Sequence, residues 1–316
     1  MSKVIIGIHG LANKPEPTVL AGAWKNALIE GLGYAGKQIQ EAELDFRMVH
    51  WAHYLYKYPL HRDDVFSFDP YYNKEPYRPA APGTVKEHKD GWWDTIRSAS
   101  LGVLGTTGDF VRSRLKDDRF AKWLLGSLLK DLEFYYANHQ VSDGAGGKAP
   151  AQTVLKDALK KVILEAQGSE IMLIAHSMGT IIGYNALRDL GRPPHQNVSV
   201  DHFVTIGSPL GLPYVRDQIV KERTYDPRVR TPSIVKKSWI NYADPLDPVA
   251  ADVHLRDDYS ENAIGIRVVD DLVCNDYFTT DEKGEIKHNH HKSYGYLRTP
   301  ELSAQVKAFL GTEDDS

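Results

Sequence analysis

The sequence predicts an α/β protein: a mainly parallel sheet flanked by helices, with a helical cap inserted before its centre. Three observations predict it. Apolar runs of strand length alternate with amphipathic helical runs near both ends of the chain, which implies crossover connections and so a parallel sheet. A short apolar run at 171–175 ends at His176-Ser177-Met178-Gly179 and passes at once into a helical pattern. Between the first strands and that step, residues 52–150 break the alternation with aromatic residues mixed among prolines and charges. A chain of 316 residues, 42% of them hydrophobic, can bury one large core as a single domain carrying such an insertion.

Taken in order, residues 4–9 read as a buried strand ending in His9-Gly10-Leu11-Ala12-Asn13. Residues 19–32 have helical spacing (Leu20, Trp24, Ala27, Leu28) and stop at Gly31 and Gly33, and 44–51 read as the next strand. The cap-like insertion begins with Tyr54, Tyr56, Tyr58, Phe66, Phe68, Tyr71, Tyr72 and Tyr77, continues through Trp92, Trp93, Ile96 and an apolar run at 101–105, and reaches a helix at 120–136. Phe120, Trp123, Leu124, Leu125, Leu128, Leu129, Leu132 and Tyr135 spread around more than half of that helix, so it is expected to be covered on two sides. Residues 143–150 read as a flexible linker and 151–167 as an amphipathic helix. After the helix at 178–190 come strands at 200–206, 239–243 and 267–273, a polar loop at 287–294 and a terminal amphipathic helix at 301–310.

The chemistry gathers at 170–183. A serine at the apex of a sharp strand-to-helix turn needs small neighbours two positions away, here Ala175 and Gly179, and presents its hydroxyl beyond the sheet. The amide of Met178, in the first helical turn, is placed to donate to an oxyanion. This stretch resembles the nucleophile elbow of the α/β-hydrolase superfamily, most closely its lipase and esterase branch, with Ala175 where the pattern Gly-x-Ser-x-Gly has its first glycine. The resemblance extends to His9-Gly10 after the first core strand, to Ile206-Gly207-Ser208-Pro209, to the turn Asp244-Pro245-Leu246-Asp247-Pro248-Val249, and to His291, three residues before Tyr294. It implies the α/β-hydrolase fold and a triad of Ser177, Asp247 and His291 in the family's chain order. It further implies an oxyanion hole from the amides of Leu11 and Met178, and a lid in the segment 209–236. Asp244, then Asp252 or Asp271, are the alternatives for the acid, and His290 for the base. His9 reads as a loop-orienting group and Ser208 as a turn hydroxyl.

The expected reaction is hydrolysis of a carboxylic ester, small or lipid-like, ester against thioester or amide being open, through an acyl-enzyme and with no cofactor. A catalytically silent scaffold that binds a partner, and acyl transfer to an acceptor other than water, are the alternatives. Other classes fare worse. A net charge of -4 and no basic run among exposed aromatics argue against nucleic acid. The histidines at 288, 290 and 291 lack the cysteine pair or His-Glu-x-x-His helix of a zinc site, so no metal is expected. Met1-Ser2-Lys3 runs directly into a strand and Cys274 is the single cysteine, giving a cytoplasmic expectation, with peripheral membrane contact left open.

Overall fold

A computed structural model describes residues 2–60, 77–81, 85, 119–195, 197–222, 229–250, 252–280 and 286–311. The chain begins with β1 (Lys3–Ile8), α1 (Pro17–Tyr34), β2 (Phe46–Val49) and a short α2 (Ala52–Leu55). The insertion contributes α3 (Arg119–Tyr136) and the strands β3 (Gln140–Ser142) and β4 (Lys148–Pro150). Then follow α4 (Ala151–Glu165), β5 (Glu170–His176), α5 (Met178–Leu190), β6 (Val200–Ile206), α6 (Pro213–Lys221), β7 (Val235–Ala243), α7 (Leu255–Asp258) and β8 (Val268–Leu272). The end of the chain forms β9 (Phe278–Thr280), β10 (Ile286–His288), α8 (Ser293–Leu297) and α9 (Pro300–Leu310).

Six strands form one sheet in the order β2-β1-β5-β6-β7-β8, and every neighbouring pair is parallel. Successive side chains of a strand point to opposite faces, so apolar strands can be covered on both sides. Ile5, Met172, Ile174, Val204 and Ile206 pack with α1, α8 and α9 residues such as Trp24, Tyr296 and Val306. Val4, Ile6, Ile8, Ile171, Leu173, Ala175 and Phe203 pack on the other face with α3, α4 and α5 residues such as Leu132, Leu159 and Ile182. The chain leaves β1 toward β2 on one side and returns to β5 on the other. This order reversal opens a crevice beyond the carboxyl ends of β1 and β5, where open α/β sheets bind ligands.

Several expectations need correction. The run at 143–150 is the turn and returning strand of a hairpin rather than a flexible linker: Asp143 Oδ1 accepts the amides of Ala145 and Gly147, while Gly144 and Gly146 supply φ of +77° and +94°. The polar loop at 287–294 is partly buried: Asn289 and His291 are 4% and 5% accessible, while His288 is exposed. Strand β2 is shorter than the apolar run that predicted it, since His50 and Trp51 turn into the core after Val49.

On α3, Leu128, Leu132 and Tyr135 are buried, whereas Leu129 is 62% exposed, so this part of the helix is covered on one side. The insertion touches both layers of the fold, since residues 77–81 lie against α1: Ala80 N–H donates to Glu30 Oε1 (2.8 Å) and the Arg78 carbonyl accepts from Arg298. Phe66, Phe68, Tyr71, Tyr72, Trp92, Trp93, Ile96, the run at 101–105 and the side chains of Phe120, Trp123, Leu124 and Leu125 lie outside the described residues. Within 209–236, α6 packs Val215 and Ile219 into the core, and 223–228 lie outside the described residues.

Candidate active site

Ser177 stands at the end of β5 in the crevice, with φ +53° and ψ -126°. Only a turn held from both sides keeps a non-glycine residue there. The Ser177 amide donates to Ile206 O (3.1 Å), and its carbonyl accepts from the amide (2.8 Å) and the hydroxyl (2.7 Å) of Thr180. Close approach explains the small residue after the serine: a Cβ on Gly179 would lie 2.5 Å from His9 O and 2.7 Å from Ile8 O.

His291 and Asp247 meet the serine from separate loops. His291 Nδ1 lies 2.9 Å and 2.8 Å from the two carboxylate oxygens of Asp247, and Nε2 lies 2.9 Å from Ser177 Oγ. A nitrogen facing a carboxylate must carry the proton, so Nδ1–H donates to Asp247 and Nε2 accepts from the serine hydroxyl. Asp247 also accepts from the Val249 amide (2.8 Å) and from Tyr296 Oη (2.8 Å). All three side chains are buried, Ser177 completely.

Each alternative residue has another occupation. Asp244 accepts the amides of Leu246 (2.7 Å) and Asn275 (2.8 Å) and binds His290 Nδ1 (3.0 Å), forming a second acid–imidazole pair that does not touch Ser177 Oγ. Burial works to lower the His290 pKa, yet the hydrogen bond and charge of Asp244 leave it raised. Asp252 accepts the His254 amide, and Asp271 lies on β8 opposite Tyr242. Ser208 Oγ contacts Thr180 Oγ1 (2.9 Å) and accepts from the Leu210 amide, a turn role.

The loop after β1 completes the site. A Cβ on Gly10 would lie 2.7 Å from Ser177 Cβ, so this backbone runs directly against Ser177. His9 Nδ1–H donates to Gly10 O (2.8 Å), while Nε2 accepts the Trp51 amide (3.0 Å). Trans peptide geometry then turns the Leu11 N–H away from that carbonyl. Among the described residues, neither the Leu11 nor the Met178 amide donates to a protein acceptor.

The chain matches no protein-family model, and no curated protein matches its sequence. The geometry therefore stands alone. Among the described residues, no group of histidine, cysteine and carboxylate side chains could hold a metal ion, and no helix is long and apolar enough to cross a membrane.

Four residues support the site in roles that the sequence alone does not assign. Tyr296 bridges the acids, accepting the Asp244 amide (3.0 Å) while donating to Asp247. Asn275 Nδ2 donates to the carbonyls of His290 (2.8 Å) and Lys292 (2.9 Å), and His176 Nε2 donates to that of His291 (2.8 Å). Three successive carbonyls around His291 are thus fixed by buried side chains. Gly207, with φ +53°, leaves room that a side chain would take: a Cβ there would lie 2.8 Å from Asp247 Oδ2 and 3.2 Å from His291 Nδ1. Gly207→Ala is expected to cut turnover by about 10²-fold through misplacement of the dyad. Melting and steady-state assays check this; a loss of stability with unchanged specific activity would contradict it.

Burial lowers His9 and His176 well below the ordinary histidine pKa, with the Lys14 charge acting in the same direction on both. Desolvation also lowers His50 and His202. The unfolded chain takes up protons below about pH 6.5 that these folded imidazoles refuse, so their contribution to stability is full above that pH and declines as pH falls. His290, together with Asp131 and Asp252, whose carboxyls burial raises, works in the opposite direction. With two imidazoles fully desolvated, the net expectation is a melting temperature that drops between pH 7 and pH 5. A series of melts reads this directly, and a temperature rising on acidification would contradict it.

Proposed function

We propose that this protein is a serine hydrolase of the α/β-hydrolase type, lipase- or esterase-like, that cleaves carboxylic esters through an acyl-enzyme. The observation that carries the proposal is the continuous hydrogen-bonded line from Ser177 Oγ through His291 to the buried Asp247 carboxylate. The parallel sheet with its crevice at β1 and β5 supports the fold assignment.

Ser177 Oγ adds to the ester carbonyl carbon as its proton passes to His291 Nε2, and Asp247 stabilises the imidazolium that forms. The carbonyl oxygen becomes an oxyanion that accepts from the Leu11 and Met178 amides. Collapse breaks the bond to the leaving oxygen, which takes the proton from His291 and departs as the alcohol. Water then repeats the sequence on the acyl-Ser177 ester and releases the carboxylic acid. No bound cofactor takes part. The complete burial of Ser177 supports an apolar acyl group, because a dry site strengthens the oxyanion interactions and disfavours a charged substrate. A single cysteine fits a reducing, cytoplasmic setting.

A panel of p-nitrophenyl acyl esters of increasing chain length tests this reading. Ser177-dependent release of nitrophenol, with a burst stoichiometric with enzyme where deacylation is slow, is the expected result. No Ser177-dependent release across the panel from folded protein would favour a silent binding scaffold.

A further inference from the structure

The residue after Leu11 poses a physical problem. Ala12 has φ +65°, a left-handed conformation that an alanine rarely adopts. Such a conformation persists only where the surroundings hold it, and both polar ends of the Leu11–Ala12 peptide are held. The Ala12 amide donates to Asp131 Oδ2 at 2.8 Å, and the Leu11 carbonyl accepts from Lys14 Nζ, which also reaches the Ala12 (3.2 Å) and Asn13 (3.3 Å) carbonyls. The preceding peptide is fixed by His9 at Gly10 O. Asp131 comes from α3, 119 positions along the chain from Ala12, and is 5% accessible. Tyr56 Oη, on the other side of the insertion, approaches its second oxygen at 3.5 Å.

We infer that Asp131 is a positioning residue for the oxyanion loop, through which the insertion sets the orientation of the Leu11 amide. The inference rests on the hydrolase reading of the site. A buried carboxylate without a strong charge partner is costly to fold around. Burial raises its pKa, with the Ala12 amide and the Lys14 charge acting against that rise. An apolar residue would serve packing alone equally well. The carboxylate earns its place by aiming a backbone amide rather than by filling space. Asp131 does not touch the reacting atoms, so its effect is on kcat and on binding of mimics of the tetrahedral intermediate, with KM little changed.

The test compares wild type, Ser177→Ala, Asp131→Asn and Asp131→Leu on one p-nitrophenyl ester, with inhibition by an alkyl boronic acid measured in parallel. Asp131→Leu is expected to lose about ten- to hundredfold in kcat and a similar factor in boronate affinity, with KM within about threefold. Asp131→Asn retains an acceptor for the Ala12 amide and is expected to stay within about fivefold of wild type. If the leucine variant does not fold, Asp131→Ser, too short to reach the amide, takes its place with the same expectation. Equal kcat in the leucine or serine variant, or a loss carried wholly by KM, would overturn the role of Asp131 alone. Absence of Ser177-dependent turnover in wild type would instead overturn the hydrolase reading, and this inference with it.

Discussion

His291→Ala is expected to lower ester turnover by about 10⁴-fold or more, with the protein still folded. Three features lead to that result. The imidazole supplies the acceptor for the Ser177 proton at 2.9 Å, and among the described residues no other titratable side chain contacts Ser177 Oγ. The neighbouring His290 turns its Nδ1 to Asp244 instead. His176, the other imidazole close by, is kept neutral by burial and spends Nε2 on the His291 carbonyl, a bond that survives the change to alanine. Folding is expected to hold because Asp247 keeps its bonds from Val249 and Tyr296 when the imidazole is removed. His290→Ala serves as the companion variant and is expected to lose less than about tenfold, since its contact lies outside the proton path. Steady-state assays with circular dichroism check both. A His290→Ala loss equal to that of His291→Ala would reverse the assignment.

Asp247→Asn is expected to cost about 10³- to 10⁴-fold in kcat, and Asp244→Asn less than about tenfold. Both acids are buried and each binds a histidine, so a sequence pattern alone separates them poorly. Their partners separate them. At Asp247 the loss of charge removes the group that holds His291 in the tautomer with Nε2 free, and an asparagine can present its own N–H to the imidazole. The geometry survives while the base is wrongly protonated. At Asp244, asparagine keeps one acceptor oxygen, so one of the Leu246 and Asn275 amides loses its partner along with the charge facing His290, and none of these contacts reaches Ser177 Oγ. The expected outcome there is a lower melting temperature with turnover largely kept. Comparing kcat and melting in the two variants decides the matter, and reversed losses would move the acid role to the Asp244–His290 pair.

Much of this site was legible in the sequence because its parts are local patterns. The elbow announces itself through Ala175, Ser177 and Gly179, whose small neighbours are required by contacts as close as 2.5 Å to the β1 backbone. His9-Gly10 marks the loop after the first strand, and the acid turn and late histidine follow in order. The parallel sheet was legible for the same reason, β2, β5 and β6 each being a short apolar run after a helical one. The groups that hold the site were not legible. Tyr296, Asn275 and Asp131 act across separations of 49, 17 and 119 residues, and nothing in the residues around them records the partner. The hairpin at 140–150 was missed because its glycines and Asp143 read as composition, whereas the fold uses them as a turn closed by one carboxylate. The burial of His291 was not legible in a polar loop, because the side chains that satisfy its carbonyls, Asn275 and His176, come from elsewhere in the chain.

Activation of Ser177 by His291 is the step on which the proposed reaction depends. Treating the folded protein with a fluorophosphonate, followed by intact mass and peptide mapping, tests it most directly, because the reagent phosphonylates an activated serine and spares ordinary hydroxyls. One adduct, on Ser177 and absent from His291→Ala, is the expected result. No adduct on folded wild-type protein, or an adduct on Ser208 or another hydroxyl in place of Ser177, would contradict it.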